Sequence, residues 1–135
     1  MKWTTDPPKR GDIVRVKVSF YYHYGIFVDD EHVVQFGLPD NSQTPPEAIA
    51  VCVTDSYAFM HGGMLETGVP SRQEAARRRG PDETVRLAMS RVGETGYDIL
   101  RNNCEHFANA CAFTEARPTA LDGLRAAIRG KLKRD

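Results

Sequence analysis

A thiol at the start of a helix, with an imidazole elsewhere in the chain able to reach it, suffices for covalent acyl chemistry. This sequence carries both parts. Asn102-Asn103-Cys104-Glu105-His106-Phe107 opens a helix-forming run. Asparagine caps helices because its short side-chain oxygen accepts a bond from a free first-turn N–H. Cys104 then falls in the first turn, where unpaired N–H groups and the positive end of the helix dipole favour a thiolate. A free thiol titrates at about 8.5, and this setting predicts a lower value, more so beside a protonated imidazole. A lone cysteine is more often a small buried residue than a nucleophile, so the partner decides the reading.

Four histidines compete to be that partner. His106 is two residues from Cys104 on one helix and points about 200° away from it. His61 precedes two glycines in a loop, and His32 falls at the mouth of a hairpin. His23 lies in a strand of aromatic and apolar residues, and geometry selects it as base. A base of this kind needs an orienting third group, and Gln35 is the residue placed to supply it.

The elements that must position these groups follow from periodicity. Val14, Val16 and Val18 alternate with Arg15 and Lys17, the two-residue period of a half-buried strand. Residues 21–28 and 33–36 read as two further strands around Asp29-Asp30-Glu31. A three-residue loop predicts pairing of Val28 with His32, Ile26 with Val34, Gly25 with Gln35 and Tyr24 with Phe36. Tyr24, Ile26, Val28, Val34 and Phe36 then share one apolar face. His23, Gly25, Phe27, Val33 and Gln35 share the other, with Gln35 diagonal to His23 and within its reach. Gly25, opposite Gln35, is expected to leave that face uncrowded.

Residues 48–53 predict a buried strand containing Cys52 as a core residue. Residues 54–60 predict a short capped turn closed by Gly62-Gly63, and residues 64–69 an edge strand. Residues 70–80, with Arg77-Arg78-Arg79, read as a solvated connection. Pro81 to Val92 predicts a helix with acids in its first turn and Gly93 near its end. Residues 37–46 read as a polar loop. The expected organisation is an irregular lead-in over 1–10, a catalytic domain over 11–114 and a basic amphipathic tail over 115–135. The fold class is α+β, a small antiparallel sheet packed against the helix that bears Cys104.

Composition removes several classes of function. At 135 residues the chain is one domain large enough for a real core. Eighteen basic residues balance eighteen acidic ones, which gives no global attraction to nucleic acid. No apolar run approaches a membrane span, and the first residues do not form a signal peptide. Three cysteines without short repeated spacing fit a reducing, cytoplasmic compartment rather than a disulfide framework. Neither Cys-x-x-Cys nor His-x-x-x-His occurs, so no metal and no cofactor is expected. Six basic residues against Asp122 and Asp135 in the last 20 positions allow peripheral contact with an anionic membrane. Packing of this tail on its own domain is the commoner arrangement.

Gly11-Asp12-Ile13-Val14-Arg15-Val16, Tyr22-His23-Tyr24-Gly25-Ile26-Phe27-Val28, Val33-Val34-Gln35-Phe36, Tyr97-Asp98 and Asn102-Asn103-Cys104-Glu105-His106-Phe107-Ala108-Asn109 together resemble the lecithin retinol acyltransferase domain. That family includes the H-Ras-like suppressor phospholipases and many bacterial relatives. The resemblance spans roughly residues 9–112, and the Asn-Cys-Glu-His-Phe block is its most specific part. It implies a circularly permuted NlpC/papain-like fold, His23 as general base and Cys104 as acyl-accepting nucleophile. One position departs, because well-studied members carry a second histidine where Gln35 stands. The membrane-anchoring C-terminal helix of the animal enzymes has no counterpart in the short basic tail.

The leading expectation is a thiol-dependent acyltransferase or acyl hydrolase of phospholipase A type, acting on an acyl ester such as a phospholipid. Backbone N–H groups near Cys104 would hold the oxyanion, with Tyr22, Tyr21 and Asn103 as candidates around the pocket. Two other readings stay open. One is an NlpC-type cysteine amidase or peptidase, and the other is a binding module that keeps the fold without turnover.

Overall fold

The computed structural model describes residues 1–19, 21–37, 48–98 and 103–114. Most of the expected polar loop, Asn102 and the basic tail lie outside these residues. Six strands form one antiparallel sheet: β1 (Lys2–Thr4), β2 (Ile13–Val18), β3 (Tyr21–Asp29), β4 (His32–Gly37), β5 (Ala50–Asp55) and β6 (Leu65–Val69). Their spatial order is β1-β6-β2-β3-β4-β5. Four helices complete the described structure: α1 (Ser56–Met60), α2 (Arg72–Ala75), α3 (Pro81–Ser90) and α4 (Cys104–Ala112). The α+β class read from the sequence holds.

The two faces of the sheet separate as the alternation requires. Ile13, Ile26, Val34, Phe36 and Val51 face the helices, packing against Val85 and Ala88 of α3 and Phe107, Ala108 and Cys111 of α4. Tyr24 and Val28 border that cluster. On the opposite face Val14, Val16, Phe27 and Val33 gather around Phe59 of α1. Gly25 does not leave this second face open as expected. A methyl there would press into Val33 and Phe59, so the missing side chain is what lets Phe59 close on the sheet.

The β3–β4 register agrees with the alternation at Gly25↔Gln35 and Ile26↔Val34 and departs from it at both ends. Asp29, not Val28, pairs with His32, because a bulge between Phe27 and Asp29 absorbs one residue and shortens the loop. Beyond Gly25↔Gln35 the ladder stops. Tyr21–Tyr24 continue against β2 alone, while Phe36 and Gly37 continue against β5.

Four other expectations are corrected. The lead-in contains β1, which pairs with β6, so β6 lies inside the sheet rather than at its edge. β5 begins at Ala50 rather than Ala48 and is itself an edge strand, its Val53 39% exposed. Cys52 on it is half-buried, not a core residue. Arg78 is no solvated cation: it donates to the carbonyls of Gly11, Arg79 and Ala112 and to the hydroxyl of Thr84. One guanidinium with five donors thus satisfies acceptors from four segments, and Arg78 also bridges to Phe113.

Candidate active site

α4 starts where the sequence places it. Asn103 has extended backbone, and its side-chain oxygen accepts the N–H groups of Glu105 and His106 at 3.0 and 3.1 Å. His106 answers by accepting the Asn103 N–H through Nδ1 at 3.3 Å, which closes a reciprocal cap. Asn103 and His106 therefore build the helix end.

Cys104 is the first residue of that helix and only 7% exposed. The backbone N–H groups of Tyr24, Glu105 and Cys104 itself favour its thiolate. Burial outweighs them and pushes the thiol up to about 11, with the neighbouring Glu105 charge adding to the rise. This reverses the lowered value expected from the helix end. Dipole and N–H groups stabilise an anion locally, but removing water from around the sulfur costs more.

His23 and Gln35 stand on the α1 face. His23 Nε2 is hydrogen-bonded to Gln35 Oε1, so the diagonal contact drawn from the strand pattern is made. The Gln35 amide nitrogen continues the chain to Thr54 Oγ1 at 2.5 Å, and Thr54 Oγ1 lies 3.6 Å from Cys52 Sγ. Phe59 covers the imidazole at 5.1 Å between centroids. A methyl on Gly37 would overlap the ring, so the end of β4 is shaped around it. Burial lowers the His23 pKa below 6.5; the Gln35 bond opposes that shift and the charge of His61 adds to it.

Cys104 approaches from the helix face, yet its sulfur reaches the backbone of Tyr24, the residue after His23. This is the stretch where β4 no longer pairs with β3, so no backbone bonds join those two strands there, although β2 still pairs with β3 on its other side. Sulfur and imidazole share no hydrogen bond themselves. His32 sits apart, exposed and bonded to Asp29 at 2.8 Å.

Of the pocket candidates, Tyr22 lies against the Arg15 guanidinium, 3.9 Å from its ring centroid, and Tyr21 is 48% exposed. Tyr97 is a phenol that sequence reasoning noted only as part of a motif. It packs edge-on to Phe36 at 5.2 Å, and its pKa rises to about 12 through burial and the fields of Cys104 and Tyr21. Gly37, Thr54 and Phe59 were also missed. The β4–β5 register that places Thr54 beside Val33 and Cys52 beside Gln35 is visible only once those strands are paired. No cluster of three or more His, Cys, Asp or Glu suited to a metal occurs among the described residues. No helix among them is long and apolar enough to cross a membrane.

Residues 6–117 match the family model described as lecithin retinol acyltransferase. The chain is 25% identical over 119 residues to phospholipase A and acyltransferase 3 of Homo sapiens, covering 82% of this chain and 74% of that protein. It is 27% identical over 127 residues to lecithin retinol acyltransferase of Rattus norvegicus, covering 77% of this chain and 54% of that protein. The chain thus spans about half the length of the second relative.

Proposed function

Since the chain belongs to the lecithin retinol acyltransferase family, we propose that it is a thiol acyltransferase or acyl hydrolase of phospholipase A type, with Cys104 as nucleophile, His23 as general base and Gln35 orienting the base. The permuted NlpC/papain-like arrangement, with histidine before cysteine in sequence, belongs to the same proposal. The observation that carries it is the oriented imidazole on β3 next to the residue whose N–H points at the Cys104 sulfur.

The electrostatics support one order of events. A thiol near 11 and an imidazole below 6.5 make a neutral resting pair at pH 7, with fewer than about one thiol in a thousand ionised. Proton transfer therefore accompanies attack. Gln35 Oε1 accepts from Nε2–H, which leaves Nδ1 as the nitrogen with a free lone pair. As Sγ bonds to the acyl carbonyl carbon, Nδ1 takes the thiol proton. The Cys104 backbone N–H, which the Asn103 cap does not take up, is the first-turn donor for the oxyanion. Collapse breaks the bond to the leaving alcohol, which receives the proton from His23, and a thioester remains on Cys104. Water or an acceptor amine or alcohol then gives its proton to His23 and attacks the thioester, and the departing sulfur recovers that proton. Sulfur and imidazole need only meet with substrate present, since such contacts are often loose in the free enzyme.

The acyl donor is an ester of phospholipid type, in keeping with the names of the two relatives. The protein works in the cytoplasm, at a membrane surface that the basic tail contacts peripherally. Mass spectrometry after exposure to a short-chain phosphatidylcholine tests the reading. The expected result is an acyl mass on the Cys104 peptide, absent in Cys104→Ala and slow to form in His23→Ala. Adducts with peptide amides alone would make the chain an amidase. A Cys104 that takes up no acyl group from either would leave a binding module.

A further inference from the structure

The amide of Gln35 can face His23 in two ways, and each fixes a different imidazole tautomer. With the carbonyl toward the ring, Oε1 accepts from Nε2–H and Nδ1 keeps its lone pair. With the amide reversed, its NH2 would donate to a bare Nε2, the ring proton would sit on Nδ1, and Nδ1 would be a donor in place of a base. A neutral amide has no charge with which to choose between these. Gln35 is 4% exposed, which leaves the choice to protein atoms.

Thr54 on β5 is the group at the far end of the amide, with Gln35 Nε2 donating to its Oγ1. Its hydroxyl has a second neighbour in Cys52 Sγ, on the same face and two residues back along the strand. An S–H is a weak donor and a sulfur can accept. The better arrangement therefore sends the hydroxyl hydrogen to sulfur and leaves an oxygen lone pair for the amide N–H.

We propose that Thr54 is a positioning residue of this site: its hydroxyl, with its hydrogen directed to Cys52, holds the Gln35 amide oxygen toward His23 and so fixes the Nε2–H tautomer. The catalytic meaning of that tautomer rests on His23 being the base; the tautomer itself does not.

Long-range nitrogen-15 spectra of the imidazoles test this, with the His23 signal assigned by its loss in His23→Gln. The wild-type chain should show His23 protonated on Nε2, and an Nδ1–H tautomer there overturns the proposal. Thr54→Val should mix the two tautomers. It should also slow alkylation of Cys104 by iodoacetamide about twofold, since an even mixture leaves roughly half of the chains with the lone pair on Nδ1. Thr54→Ser should restore both readings. Wild-type behaviour in Thr54→Val sinks the idea, and so does a lost Nε2–H tautomer in Thr54→Ser, which decides the matter even if the valine variant does not fold. If the spectra follow expectation while no acyl group ever reaches Cys104, the proposed function fails and the role of Thr54 stands.

Discussion

Cys104 and Cys111 lie two turns apart on α4, and burial pushes both thiols to about 11. Judged by nearby charge, Cys111 is the better thiolate, because Arg91 faces it and lowers its pKa while Glu105 raises that of Cys104. Judged by surroundings, the order reverses. Cys111 is 1% exposed within the apolar cluster of Phe107, Ile26 and Val34. Cys104 has backbone N–H groups aimed at its sulfur and lies against the strand that carries a histidine with one ring nitrogen already committed. Under the proposed function, what separates the two is a nearby base for the proton and donors for the charge that forms during attack. Resting acidity does not distinguish them.

The sharpest way to break this comparison is to remove each sulfur in turn. Cys104→Ala should lower acyl transfer by at least about 10³-fold, as loss of a covalent nucleophile does. Cys111→Ala should leave turnover within a few-fold and cost roughly 1–2 kcal/mol of stability in a urea titration. Equal losses of turnover would put the nucleophile elsewhere. A subtler test moves the base and spares both thiols. Gly37→Ala puts a methyl where the imidazole lies, and misplacing a reacting group by about 1 Å costs on the order of 100-fold. Turnover measured beside chemical denaturation should show that loss together with an overpacking cost of about 1–3 kcal/mol, too small to unfold the chain.

The smallest effect, and the most diagnostic, is in pH. As the proposed base, His23 must be neutral to accept a proton, and burial holds its pKa below 6.5. The value of kcat/KM should therefore be level through neutrality and fall about tenfold per unit below that pKa. No second fall should appear between 7 and 9, since the thiol titrates only near 11. A descending limb in that range would mean a standing thiolate–imidazolium pair. Stability carries the same sign. The unfolded chain binds the His23 proton more readily, so this contribution is whole above about 6.5 and is lost as pH falls through the depressed folded value.

How legible all this was depends on the range of each interaction. The apolar and polar faces of β3 and β4, the His23–Gln35 diagonal and the Asn103 cap follow from two-residue or four-residue spacing, which local sequence states directly. The bulge at Val28 was not legible, because an inserted residue leaves the alternation on either side intact. Nor was β1. Three residues ahead of Pro7-Pro8 carry no period of their own and become a strand only against β6. Thr54 and Gly37 gain their roles from pairing and packing across strands. The acidity of Cys104 was misjudged for a related reason, since a helix start is a local fact while burial is decided by the whole fold.

Arg78 fastens α4 at the end remote from the sulfur, through the Ala112 carbonyl and the bridge to Phe113. The helix is held along its length as well, by Phe107, Ala108 and Cys111 against the sheet, so this end sets its angle. At 1.5 Å per residue the lever from Ala112 to Cys104 is about 12 Å, so a tilt of about 10° carries the sulfur roughly 2 Å. That displacement is of the size that separates a touching pair of groups from a parted one, so the hold on Ala112 by Arg78 and the Arg79 N–H helps fix where the sulfur sits.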